Sequence, residues 1–557
     1  MAIKIGIDFG TTNSSVYTLV YDSQRKERVA RSMLLDKDRH EASSVPTVLK
    51  VSRDSILCGH EIGYGALQGT TVIYNLKERL LDDYNNEKYV YEDNRSGWKK
   101  ENEIRSNDKV YDKWELFRAY MKYLLKNVVD NNMYMQDNTL IEAVISVPFA
   151  SSTIYNEKMK KNIEMLSINN SRGEECKIKV LDIIEEPVAI GFLYLIDKKT
   201  LDVNLISDKK TLVVDIGGGT TDIAVLQNDR GSIKPDITVL DYDCITAIDR
   251  DCIINVIDHD GNKNAGNYID KTIIKYLFVR ENIEDPSYEE FISTKNKNLN
   301  PTLLGTKETK ETIEKTGESE VYFQYNRYDV GDYILTKEEY YKILGPYVKE
   351  LLGLSKRMID KHNDITNIVL AGGVANCNYI KNRFKEEFSK YVVYSGEEED
   401  NASCTAKGNL LYANRKTSIR AKLTNSYGLR VYDKDGVRCI RNFAYQNQNL
   451  PIENIILPLH TEFYTNYVDF EFYRGHEEYP TYSLLSDNSL DYNFNNYTFL
   501  DNHVFRYTFG KYVPANTMLK AIINIDNNEI ISVEVISEYA TIISQRYTLT
   551  ELEGDGI

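Results

Sequence analysis

A chain of 557 residues has room for two to four domains with sizeable cores. Its net charge of −16 argues against nucleic acid or an anionic membrane as a general partner. Seven cysteines without CxxC or metal spacing read as mostly buried thiols of a cytoplasmic protein, seven scattered histidines suggest no metal site or triad, and neither a signal peptide nor a membrane span is expected.

The opening stretch IKIGIDFGTTNSSVYTLV predicts two strands around a turn. Ile5 to Ile7 form the first strand and Asp8 closes it. Gly10, Thr11, Thr12 and Asn13 supply the turn, and Val16 to Val20 return. Ser44 to Val48 reads as extended, and Asp82 to Lys113 as a polar excursion with Trp98 its only strongly buried candidate. Trp114, Phe117, Met121, Leu124, Leu125, Val128 and Val129 trace one helical face. A strand over Leu140 to Val147 ends at Pro148, a helix spans about Thr153 to Leu166, and a strand spans Lys179 to Ile184. In Glu185-Glu186-Pro187 the proline suits a first helical turn, where acidic residues favour the helix dipole.

Thr211 to Leu226 (TLVVDIGGGTTDIAVL) repeats the grammar of the opening stretch. Asp215 corresponds to Asp8, Gly217, Gly218 and Gly219 make the turn, and Thr220, Thr221 and Asp222 lead into the return strand. Glycines there let backbone N–H groups approach an anion. Carboxylates beside such a cradle are reconciled by hydrated Mg²⁺ bridging carboxylate and phosphate. Two copies imply two similar lobes sharing a cleft. Asp258 to Asn262 invites a calcium loop, but the twelfth position of such a loop falls on Ile269, which excludes it. Thr306 to Lys315 is a charged helical stretch with Lys307, Glu311 and Lys315 at i, i+4 spacing, a pattern most common on solvated faces. Asn367 to Asn378 (NIVLAGGVANCN) is a third strand–glycine turn, followed by the helical pattern Ile380, Phe384, Phe388. From Ser426 the pattern changes to short β runs, with turns at Asp433 to Gly436 and Asp526 to Asn528.

Together these motifs resemble the actin, sugar-kinase and heat-shock ATPase superfamily, and are most similar to the DnaK-type 70 kDa heat-shock chaperones. The resemblance implies an α/β, two-lobed, actin-like (ribonuclease H-like) ATPase domain followed by a β-sandwich, and the residues after it are too few for the helical lid that usually follows in the family, so no lid is expected. Lobe I would span 1–205, with an outer subdomain at about 46–113, and lobe II 206–398, with an outer subdomain at about 265–335. A closing helix at 399–415 is implied by the DNASCTAKG stretch, then a linker at 416–425, the β-sandwich at 426–540 and a tail.

The resemblance also implies ATP/ADP and Mg²⁺ as ligands, with slow ATP hydrolysis. Asp8 and Asp215 would hold the hydrated metal. The turn residues Gly10, Thr11, Thr12 and Asn13, with Gly217, Gly218, Gly219, Thr220 and Thr221, would grip the phosphates. Glu186, matching the family's N-E-P-T-A signature, and Asp222 would orient the water, and Thr220 would offer a hydroxyl. Lys77 stands where the family places a catalytic lysine. Gly266 keeps the second glycine of L-G-G-E-D-F-D, with Ala265 replacing the first. Lys307, Glu311 and Lys315 lie where a family helix meets the adenosine. Gly372, Gly373, Val374 and Asn376 match G-G-S-x-R, with Asn376 in place of the arginine that stacks on adenine. Pro148 resembles the family's switch proline, and Lys158 is a poor stand-in for the basic relay residue after it. The apolar V-L-L-L-D linker is missing, with Arg420-Ala421-Lys422-Leu423 in its region.

The implied partner is a peptide or protein client, or one dedicated protein, with a co-chaperone or exchange factor. Neither nucleic acid nor membrane is expected. Two other readings are a nucleotide-held interaction switch with little turnover, and a small-molecule kinase or filament-forming relative. The β tail and Glu186-Pro187 argue against the last.

Overall fold

Each of the first two glycine turns reverses a hairpin. In the computed structural model, Ala2–Phe9 pairs antiparallel with Asn13–Asp22, and Lys210–Ile216 with Thr221–Asp229. The structure describes every residue except 1, 23–26, 37–43, 63–71, 82–86, 92–95, 107, 133–134, 136–139, 150, 171, 197–209, 230–252, 282–298, 326–327, 397, 415–417, 421–422, 424–425, 433–437, 446–447, 449, 476–482, 485–496, 526–530, 538–544 and 549–557. It divides into two compact units, residues 1–254 with 258–418, and residues 255–257 with 419–557.

The first unit contains two sheets of one plan. Leu140–Val147 lies parallel to Ala2–Phe9, and Glu175–Glu185 lies parallel beyond it. In the second sheet Ile365–Ala371 and Val392–Ser395 lie parallel beside Lys210–Ile216 in the same way. Strands covered on both faces are apolar without alternation, and Leu212, Val213 and Val214 are accordingly all fully buried. The strand–turn repeat in the sequence is therefore a repeat of whole sheets.

Helix Lys113–Asn131 begins where Asp112 accepts the Trp114 N–H, and it buries Leu116, Phe117, Tyr120, Met121, Leu124, Leu125, Val128 and Val129. Helix Glu398–Asn414 packs on the first sheet, where Asn409 donates to the Ile7 carbonyl at 2.7 Å and to Ser146 Oγ at 3.0 Å. One expectation is corrected in the polar excursion. Tyr89 and Val90 are buried there, whereas Trp98 is half-buried and set edge-on to Tyr89 at 5.6 Å. The reason is a small antiparallel sheet of Lys88–Tyr91, Gly97–Lys99 and Lys109–Tyr111, whose Tyr89 and Tyr111 join the main core while Trp98 packs at its edge.

The second unit is built from antiparallel strands. One sheet pairs Ser426–Tyr432 with Arg438–Ala444 and Thr465–Gly475, and the other pairs Met518–Ile525 with Ile452–His460 and Ile531–Ser537. Phe443, Phe470, Phe472 and Phe505 from the first sheet share one core with Leu519, Ile523, Ile525 and Val533 from the second. Leu423 joins that core, while 421–422 and the turns expected at 433–436 and 526–528 lie outside the described residues. The described thiols Cys58, Cys176, Cys377 and Cys404 are buried and not in disulfides. No described helix is long and apolar enough to cross a membrane.

Candidate active site

A cleft of about 570 Å³ inside the first unit is lined by both hairpin turns and by the third glycine turn. Gly10, Thr11, Thr12 and Asn13 form one wall, and Gly217, Gly218, Gly219 and Thr220 face them. A Cβ added at Gly218 would meet Thr12 Oγ1 at 2.5 Å, so the lobes approach backbone to side chain at this point. Gly372 has φ +85°, and a Cβ there would fall 2.4 Å from Asp215 Oδ1. Gly266, Gly373, Val374, Asn376 and Lys315 also reach the wall.

Asp8, Asp215, Glu186 and Lys77 converge on the floor. Lys77 comes from the short helix Leu76–Leu81, and Glu186 opens the helix Glu186–Ile196. The Lys77 ammonium donates to Glu186 Oε1 in a short contact, with both side chains buried. Burial opposes the Lys77 charge, but Glu186 and then Asp8 hold its pKa above the usual lysine value. Burial, with Glu186 adding to it, pushes Asp8 up to about 7 against the pull of Lys77. Asp215 is raised well above the ordinary carboxylate range by burial, then by Glu186, Asp222 and Asp8.

Several predicted residues stand elsewhere. Asp222 pairs with Asp215 across the hairpin and lies behind the wall, where its Oδ1 accepts the Phe149 N–H at 2.9 Å. Burial and then Glu186 push Asp222 up to about 7. Pro148 thus adjoins the residue that touches this aspartate. Thr221 is a correction. Its hydroxyl donates to the Asn264 carbonyl at 2.6 Å, because strand alternation turns it away from the face that Thr220 presents. Lys307 is a second correction: its amine sits 5.1 Å over the Tyr74 ring. Helix Leu299–Thr316 instead brings Lys310, Glu314 and Lys315 to the cleft, on the same face as Lys307 but about one turn or more further along. The Glu311 side chain lies outside the described residues. Lys158 sits on helix Thr153–Glu164 and is not on the wall.

Sequence reasoning also missed Tyr340, Cys377, Asn378 and Lys381 on the wall, and a bond across the cleft. Asn267 Nδ2 donates to Glu78 Oε1 at 2.5 Å, joining helix Gly266–Arg280 to helix Leu76–Leu81. Their positions beside Gly266 and Lys77 were the available signal.

A divalent cation suits this floor. Four carboxylates face one ammonium, and Asp215 Oδ1 and Asp222 Oδ2 are buried with no hydrogen-bond partner among the described residues. Among the described residues no three acidic, His or Cys groups close into a metal cage. The orphaned carboxylate oxygens suit Mg²⁺, which keeps most of its water and takes one or two carboxylates plus phosphate oxygens. Asp8 and Asp215 are the two aspartates on the wall.

Two lobes of one sheet plan, with glycine turns meeting over buried carboxylates, define an actin-like nucleotide-cleft protein with an added β-rich unit. Residues 4–405 match the family model described as Hsp70 protein, and the chain belongs to the Hsp70 family. It is also similar to "Chaperone protein HscA" of Buchnera aphidicola subsp. Baizongia pistaciae (strain Bp), at 22% identity over 405 residues. That match takes in 70% of this chain and 66% of the relative's length, just short of two thirds.

Proposed function

We propose that the chain is a slow, Mg²⁺-dependent ATPase of chaperone type whose β-rich unit binds a peptide or protein partner. The observation that carries the reading is the buried Lys77–Glu186 pair set beside Asp8 and Asp215, under two glycine turns. Phosphoryl transfer to water depends on positioning and charge neutralisation more than on covalent help. The N–H groups of the two turns grip the β- and γ-phosphates, with the Thr11 and Thr220 hydroxyls beside them. Glu186, backed by Asp222, orients the attacking water, and Lys77 offsets the charge that develops. Mg²⁺, held through water by Asp8 and Asp215, would supply neutralisation of the bound phosphates.

The relative's printed description as a chaperone supports a peptide or protein client, and a co-chaperone or exchange factor is part of the same proposal. In this reading lobes I and II span 1–205 and 206–398, the closing helix 399–415, the linker 416–425 and the partner-binding sandwich 426–540, in a cytoplasmic protein. One observation favours a second reading, a nucleotide-held switch with little turnover: the Lys77 ammonium is already committed to Glu186. Partner capture from the native host, with ATP and with ADP, tests the first reading alongside a phosphate-release assay. Capture that depends on nucleotide without phosphate release would favour the switch.

A further inference from the structure

The wall of the cleft beyond the glycine turns is built around a single carboxylate. Glu314 lines the cleft from helix Leu299–Thr316, with its side chain 12% exposed. Its Oε1 accepts from Cys377 Sγ at 3.2 Å and from the Tyr341 hydroxyl at 3.0 Å. Its Oε2 accepts from Asn378 Nδ2 at 3.2 Å and pairs with Lys337 Nζ at 3.1 Å. Tyr341 in turn stacks on Tyr379 at 4.7 Å. Three separate elements meet on this group: its own helix, helix Lys337–Lys361 and the start of helix Asn378–Glu387. Cys377 and Asn378 themselves line the cleft.

Phosphates gripped at the glycine turns leave the rest of a nucleotide to lie along this wall. We infer that Glu314 is a positioning residue for the nucleoside: its carboxylate fixes Cys377, Asn378 and the adjoining helix start as one rigid surface against which the base and sugar pack. The inference rests on the nucleotide reading of the cleft. A partly buried carboxylate with four donors is costly to leave half-satisfied, so this one group ties the wall together. Lys337 supplies the opposite charge that makes its burial tolerable. Preorganisation of this kind raises affinity for the part of a ligand that touches the wall and for no other part.

The test compares ATP with inorganic tripolyphosphate, both with Mg²⁺, by calorimetric titration of the full chain. Glu314→Ala is expected to weaken ATP about tenfold or more while leaving tripolyphosphate within about twofold, and Glu314→Gln, which keeps two acceptor sites, is expected to fall between. Asn378→Ala, a change at an exposed position, is the second variant should Glu314→Ala fold poorly, and it is expected to lose ATP affinity severalfold with tripolyphosphate unchanged. Equal losses on both ligands would assign Glu314 a merely structural role and overturn the inference, as would ATP affinity unmoved in both variants. A wild-type chain that binds neither ligand would overturn the nucleotide reading itself.

Discussion

Lys77 is held where a lysine would otherwise be expensive. Removing an ammonium and a carboxylate from water costs several kcal/mol each, and breaking such a pair costs about 3–5 kcal/mol because the remaining charge stays buried. The Lys77–Glu186 pair is therefore weak evidence for stability, and a pair retained at the floor of a cleft points to chemistry instead. Asn376 carries a different lesson. It lines the cleft where the resemblance calls for an arginine, and a guanidinium stacked on a base contributes about 0.5–2 kcal/mol. Asn376→Arg is expected to tighten ATP relative to GTP by severalfold in competitive titration. Superimposable ATP and GTP curves for the variant and wild type would place Asn376 off the base.

One contact joins the lobes and another ties two elements within lobe II, and each gives a prediction. Glu78 and Asn267 join the lobes across the cleft, so Glu78→Ala is expected to speed release of a fluorescent ADP analogue severalfold in stopped flow. An unchanged off-rate would mean that the bond does not restrain opening. On strand Ile253–Asn262, Asp258 clamps the end of helix Lys337–Lys361 through Lys361 at 2.6 Å and His362 at 2.7 Å. Burial alone would raise the Asp258 pKa, but hydrogen bonds from Lys361 and His362 hold it below its ordinary 3.8. A carboxylate held below its unfolded value stabilises the fold above that value and loses the contribution as pH falls through the folded one. Asp258→Asn should thus destabilise at pH 7, and its urea midpoint should converge on wild type below pH 3.8. A gap between the midpoints that is constant with pH would refute the linkage.

The same elements show what the sequence could reveal. Glycine turns were legible because a close backbone approach permits few other residues, and the buried strands because both faces are covered. The register of helix Leu299–Thr316 was not legible. Its charges recur at i, i+3 and i+4 along one face, so spacing alone does not tell which turn of the helix, that of Lys307 or that of Lys310 and Glu314, reaches the cleft. Thr221 failed for a related reason: neighbouring threonines at a strand start point to opposite faces, and only tertiary pairing decides which faces the cleft. The Glu314 wall joins residues 63 and 64 positions apart, a proximity that no local pattern encodes.

At the scale of the molecule, a nucleotide cleft and a β-rich unit share one chain, and the proposal is that the first powers or permits binding by the second. The linker region at Arg420 to Leu423 lacks an apolar run in its sequence, so ATP is expected to change the release rate of a fluorescent apolar peptide by less than about threefold. Release accelerated many-fold by ATP would restore ordinary coupling. The cleft itself is tested most directly by single-turnover hydrolysis of Mg-ATP in wild type and Lys77→Ala, with ATP affinity measured in parallel. Wild type should release phosphate slowly, and Lys77→Ala should bind ATP within a few-fold of wild type yet hydrolyse it about two or more orders of magnitude more slowly, the scale of losing one preorganised charge. Phosphate release at the same rate in both proteins would contradict the account.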